Sequence, residues 1–194
     1  MLEKPINVLF LCTHNSARSI LAEALLNHLG KGRFKAWSAG SSPRDNQQPN
    51  PLALVALQNA GISTDGLRSK NWDEFAKPDA SAVRRAGPPQ ASTAPPGGSE
   101  AHEVASVGVI FDLIITVCDN AAGEVCPIWP GHPATAHWSY ADPSETAGNE
   151  AQKREAFRQT LLAIHRRLEL FINLPTAALE RLSLQSSARG LAGK

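Results

Sequence analysis

Ile6-Asn7-Val8-Leu9-Phe10-Leu11-Cys12-Thr13-His14-Asn15-Ser16-Ala17-Arg18-Ser19-Ile20-Leu21-Ala22-Glu23-Ala24-Leu25-Leu26-Asn27-His28-Leu29-Gly30 is the stretch whose reading decides the fold. Ile6 to Leu11 is a short apolar run of strand length and reads as a buried strand. From Ser16 to Leu29 the spacing becomes helical, with Ile20, Leu21, Ala24, Leu25 and Leu29 on one stripe and Gly30 as the stop. Cys12 therefore sits directly after a strand and just before a helix.

The remaining elements follow outward from this unit. Phe34 to Ser38 reads as a second strand, closed by Ala39-Gly40. A loop rich in Pro, Asn and Gln, Ser41 to Asn50, leads to a helix from Pro51 to about Ala60, where Pro51 suits the first turn and Gly61 the end. Asn71 to Ala76 is a short helix. Phe111 to Val117 is strongly β-forming and gives a third strand ending at Cys118, and a fourth falls near Thr135 to Trp138. The long helix spans Glu150 to Phe171, with Phe157, Leu161, Ile164, Leu168 and Phe171 as its core stripe. This order argues for a single α/β domain over residues 1–175 with a mostly parallel sheet. Residues 79–107 interrupt it. They hold Ala86-Gly87-Pro88-Pro89 and Ala94-Pro95-Pro96-Gly97-Gly98 with hardly a large apolar side chain, and read as a disordered insertion. Residues 176–194 read as a peripheral helical turn and a flexible tail.

A formal net charge of +1 gives no global field favouring nucleic acid or an anionic membrane. The apolar run Val8 to Leu11 is too short for a signal-peptide core, and no stretch approaches the ~20 apolar residues of a membrane span. The chain is accordingly read as cytoplasmic, where thiols stay reduced and cysteines serve catalysis or metal binding more often than structure. Its cysteines are Cys12, Cys118 and Cys126, an unsuitable number for a purely structural framework.

In an open parallel sheet, ligands bind at the carboxyl edge of the strands, which is where Cys12 lies. The backbone N–H groups of Thr13, His14, Asn15, Ser16 and Ala17, with the helix N-terminus behind them, make a positive nest for a tetrahedral oxyanion. Arg18 can fold back and hold two oxygens at once, a geometry Lys lacks. The same field is expected to depress the Cys12 pKa and supply a thiolate nucleophile. Ser19 is placed to donate a further hydrogen bond to the sulfur. The competing reading, an inert cysteine buried at a strand end, fits the flanking strand and helix less well.

Cys12-Thr13-His14-Asn15-Ser16-Ala17-Arg18-Ser19, followed by Ala22-Glu23 and by Ser38-Ala39-Gly40, resembles the phosphate loop of the low-molecular-weight tyrosine phosphatase superfamily. The resemblance covers about Ile6 to Phe171 apart from the insertion, and implies a four-stranded parallel sheet of order 2-1-3-4. His14 stands where that family usually has Gly, and His is among the residues enriched at positive φ.

Two further cysteines separate hydrolysis from reduction. In the implied sheet the third strand lies beside the first. Neighbouring strands are ~4.8 Å apart, and a disulfide joins Cα atoms roughly 4.4–6.8 Å apart, so Cys118 is within reach of Cys12. Val117-Cys118-Asp119-Asn120-Ala121-Ala122-Gly123-Glu124-Val125-Cys126-Pro127, with Trp129-Pro130-Gly131, His137-Trp138 and Asp142-Pro143, resembles the arsenate reductases of the superfamily. That resemblance implies attack of Cys12 on arsenate with Asp142 as general acid, then attack of Cys118 on Cys12 with release of arsenite. Cys126 then moves the disulfide to Cys118–Cys126. No bound cofactor is implied. The external reductant is a thiol, thioredoxin being favoured over glutathione or glutaredoxin. If Cys126 is a spectator, a small thiol must resolve Cys118 directly.

Asp142 could simply open a turn, as Asp-Pro commonly does. Cys118, Cys126, His132 and His137 have the wrong spacing for a closed zinc site, so no metal is expected. A phosphatase would wall its site with aromatic residues after Asp-Pro, whereas Ser144-Glu145 follow here and Tyr140 lies on the other side. A loop that merely senses oxyanions would leave Cys118 and Cys126 unexplained. The expected partners are arsenate, with phosphate and sulfate as competitors, and thioredoxin; the expected state is a monomer that binds neither nucleic acid nor membrane. Some members of the reductase family also hold potassium with Asn, Glu, Ser and Asp. Asn15, Glu23 and Ser38 match, but Lys70 stands at the fourth position, where its ammonium is expected to replace the ion and support Asn15 through Glu23.

Overall fold

The structure, a computed structural model, describes residues 4–76, 109–119, 129, 131, 133–175 and 177–178. The insertion expected over 79–107 lies outside the described residues, as do Cys126, His132 and nearly all of the expected tail. Four strands, β1 (Ile6–Cys12), β2 (Phe34–Gly40), β3 (Leu113–Thr116) and β4 (Ala134–His137), form one sheet in the order β2-β1-β3-β4. All three pairings are parallel. Among the described residues, they are accompanied by the helices α1 (Arg18–Leu29), α2 (Pro51–Asn59), the short α3 (Asp73–Ala76) and α4 (Glu150–Ile172).

The sheet divides its side chains by the two-residue period of a strand. Val8, Phe10 and Cys12 face a core shared with α1, α2 and α4. Leu9 and Leu11 face a second, aromatic core of Trp37, Phe75, Phe111 and Trp129, where Phe111 meets Trp37, Phe75 and Trp129 edge-on. The expected stripe of α4 is buried from Phe157 to Phe171, each large side chain contributing about 1.5–3 kcal/mol. Asn149 starts this helix with a capping box to Gln152. Among the described residues, no helix is long and apolar enough to cross a membrane.

Element boundaries differ from the sequence expectation by one or two residues. The first two strands run on to Cys12 and Gly40, because Cys12 pairs with Gly40 in the ladder. The third shortens to Leu113–Thr116, since its partner β4 offers only four residues. Phe111 leaves the ladder to build the aromatic core. Beyond Gly40 the outer edge of β2 is met by an isolated bridge to Asn71, with Gly40 N donating to Lys70 O and Trp72 N to Gly40 O. This bridge delivers Lys70 beneath the Cys12 loop.

Candidate active site

The loop between β1 and α1 is held from three sides. Ser41 N donates to Cys12 O and Ser42 N to Thr13 O, while Asn50 N donates to Ser16 O at 2.7 Å. The Ser69 hydroxyl donates to Asn15 O at 2.7 Å. Gly40 sits so close behind the loop that a Cβ there would lie 2.6 Å from Thr13 O. The left-handed residue of the loop is Asn15, at φ 51°, and not His14. Ala17 precedes α1 without a side-chain cap, which suits a helix N-terminus that serves an anion.

Asn15 is the hub of a buried polar network. Its Nδ2 donates to Ser19 Oγ at 2.9 Å and to Ser38 Oγ at 2.8 Å, and its Oδ1 accepts from Lys70 N at 2.7 Å. The Ser38 hydroxyl donates in turn to Glu23 Oε2. Lys70 Nζ lies 3.1 Å from the same oxygen and 3.0 Å from Arg68 O. The side chains of this ion pair are 4% and 10% exposed. Burial pushes the Glu23 carboxyl up, against the opposing pull of the Lys70 charge and the Ser38 hydroxyl. The ammonium thus takes the Glu23 oxygen, one of the Asn15, Glu23 and Ser38 set expected to hold a potassium ion. No cluster of metal-ligating side chains occurs among the described residues.

Cys12 and Cys118 are both reduced and buried, 5% and 2% exposed. β1 and β3 are neighbours, with Leu11 opposite Thr116, which brings the two cysteines together at one sheet edge. Cys118 Sγ lies 3.6 Å from Thr13 Oγ1, on the residue next to Cys12. The expectation of a depressed Cys12 pKa is corrected by this neighbour. The Cys12 thiol is pushed up, first by its bond to Cys118 and then by burial, while the Arg18 charge and the Thr13 N–H pull the other way. Two coupled thiols release their protons as a pair, and the second negative charge is opposed by the first.

Arg18 reaches to the segment that follows β4. Its Nη2 donates to Asp142 Oδ2 at 2.6 Å and its Nη1 to Tyr140 O at 2.9 Å. The other oxygen of Asp142 accepts from Ser144 N at 2.9 Å and Ser144 Oγ at 2.6 Å, capping a 3-10 turn over Pro143–Glu145. The carboxylate thus both opens a turn and faces the guanidinium. Arg18, Cys118, Asp119, Tyr140, Asp142 and Glu145 line one cleft of about 390 Å³. The structure brings the expected Cys12, Arg18, Cys118 and Asp142 to one sheet edge, and it adds the Ser69 hydroxyl and the Tyr140 carbonyl, for which the sequence carries no local signal.

Residues 7–81 match the family described as "Low molecular weight phosphotyrosine protein phosphatase". Over 165 residues, 84% of this chain and 93% of the relative, the sequence is 29% identical to an arsenate reductase of Bacillus licheniformis. A solved structure described as "An arsenate reductase in the phosphate binding state" superposes with a TM-score of 0.58 at 22% identity, over 86% of this chain and 96% of the other. A tyrosine phosphatase of Erwinia amylovora superposes with a TM-score of 0.55 at 17% identity, over 88% and 93%. At such identities the superpositions speak to the fold alone, and this fold carries both chemistries.

Proposed function

We propose that the chain is an arsenate reductase of the low-molecular-weight phosphatase superfamily, acting through Cys12, Cys118 and Cys126. The observation that supports reduction over hydrolysis is the second buried thiol, Cys118, which adjacent strand ends bring beside Cys12, with its sulfur 3.6 Å from the hydroxyl of neighbouring Thr13. Hydrolysis of a phosphate ester has no use for that thiol.

In the proposed sequence the Cys12 sulfur attacks arsenic from the floor of the loop. The N–H groups of the loop and Arg18 hold the remaining oxygens. To reach them, Arg18 exchanges Asp142 and Tyr140 O for the arsenate. Asp142 then faces the substrate without its cation and carries the proton to the departing oxygen, which leaves as water. The Cys118 thiolate next attacks Cys12 Sγ. The sulfur–arsenic bond breaks with its electron pair passing to arsenic, so arsenic(V) leaves as arsenite and the two sulfurs are oxidised to a disulfide. Attack by Cys126 on Cys118 frees Cys12 as a thiolate, and an external dithiol, thioredoxin by preference, reduces the Cys118–Cys126 bond. The cytoplasm, where such dithiols are kept reduced, is the fitting compartment.

Beneath this chemistry, Glu23, Ser38 and Lys70 position Asn15, and Asn15 holds the loop's backbone in its left-handed turn. The test is arsenate-dependent NADPH consumption in the presence of thioredoxin and thioredoxin reductase. Wild type is expected to turn over repeatedly, and Cys118→Ser and Cys126→Ser almost not at all. Normal turnover by both variants would sink the relay. Rapid hydrolysis of para-nitrophenyl phosphate without arsenate reduction would favour a phosphatase instead.

A further inference from the structure

Thr116 and Asp119 flank the Val117-Cys118 dipeptide, and one imidazole joins them. Thr116 and His137 end their strands in register. His137 Nδ1 lies 2.8 Å from Thr116 Oγ1, and its Nε2 lies 2.9 Å from Asp119 Oδ1. A carboxylate only accepts, so Nε2 carries a proton. Nδ1 then accepts from the Thr116 hydroxyl when the ring is neutral, or donates to its oxygen when the ring is charged. Both states keep both contacts. Trp138 N, donating to Thr116 O at 2.8 Å, anchors the imidazole's own backbone to the same strand end.

We propose that His137 is a positioning residue for Cys118. By fixing the residues on either side of that cysteine, the ring staples the chain leaving β3 so that the thiol stays buried against the Cys12 loop. The proposal rests on the reading of Cys118 as the second nucleophile. Misplacing a reacting atom by about 1 Å costs on the order of 100-fold in rate, so a short staple at this point has leverage that a longer contact elsewhere lacks. His137 is 39% exposed at its side chain and does not line the cleft that holds Arg18 and Asp142. It therefore acts on Cys118 without touching the oxyanion site.

The experiment compares wild type, His137→Ala and His137→Gln in three measurements. These are the single-turnover rate of arsenite release, the hydrolysis of para-nitrophenyl phosphate, and the alkylation rate of Cys118 by iodoacetamide followed by mass spectrometry. His137→Ala is expected to slow arsenite release by about 10- to 100-fold, to leave ester hydrolysis within about twofold, and to raise Cys118 alkylation severalfold. In His137→Gln the amide nitrogen can still donate to Asp119, and partial recovery of all three values is expected. Unchanged arsenite release and alkylation in His137→Ala would overturn the staple, as would equal losses of arsenite release and ester hydrolysis. If wild type reduces no arsenate, the functional reading fails, while the alkylation rates still test whether His137 holds Cys118 in place.

Discussion

Replacing Lys70 by Met removes the positive half of the buried pair and leaves the rest of the network standing. Glu23 loses the ammonium at 3.1 Å but keeps the Ser38 hydroxyl. Stranding one partner of a buried pair costs about 3–5 kcal/mol, and the surviving hydroxyl argues for the lower end, about 3 kcal/mol. For a domain of this size that corresponds to a fall in Tm of roughly 6–12 °C. The pH dependence has a definite sign. Burial already raises the Glu23 carboxyl above its ordinary 4.5, and Lys70 is the largest influence pulling it down. In Lys70→Met the folded-state value rises further. A raised carboxyl contributes stability that is complete below the unfolded value and is lost as pH climbs through the folded one. The deficit of the variant, measured by scanning calorimetry, is therefore smallest near pH 5 and widens toward pH 8. The double variant Glu23→Gln/Lys70→Met carries no buried charge and is expected to regain most of the loss with a flat pH dependence. A single variant as stable as wild type, or a deficit that widens toward acid, would refute the reasoning. Wild type is expected to melt alike in KCl and NaCl; a potassium-specific gain would mean the ammonium does not fill the cation's place.

Gly40→Ala places a Cβ 2.6 Å from Thr13 O and 3.0 Å from Asn15 N, backbone atoms that cannot step aside. Overpacking of this kind costs about 1–3 kcal/mol, and the affinity for phosphate, read by calorimetric titration, is expected to fall with it; unchanged affinity and Tm would show that the loop is not pinned there. Cys118→Ser removes the neighbour whose hydrogen bond and charge hold the Cys12 thiol up, so alkylation of Cys12 at neutral pH is expected to quicken. An equal or slower rate would mean that burial alone sets the thiol's acidity.

The fold was legible because its signals are local and mutually consistent. The switch from a six-residue apolar run to helical spacing across Cys12 located β1 and α1, and the stripe from Phe157 to Phe171 located α4. Strand ends were less legible, because a strand stops where its partner stops. Phe111 has the β propensity of its neighbours, yet β4 offers nothing to pair with it, and it packs with Trp37, Phe75 and Trp129 instead.

In the site, the limit of sequence reasoning falls between His14 and Asn15. Both residue types tolerate a left-handed backbone better than most, and nothing within the loop chooses between them. The choice lies elsewhere in the chain: Lys70 N, Ser69 Oγ, Ser38 Oγ and Ser19 Oγ together satisfy the carboxamide and carbonyl of Asn15. A buried residue that makes four such bonds, three of them through its carboxamide, cannot be displaced by one position without leaving several polar atoms unpaired, each costing about 1–3 kcal/mol. The same argument explains the reversed acidity of Cys12. The loop and Arg18 supply the depressing field that the sequence suggests, but Cys118 arrives from a strand a hundred residues away and opposes it. The loop's residues are local, and the partners that set their conformation and charge are not.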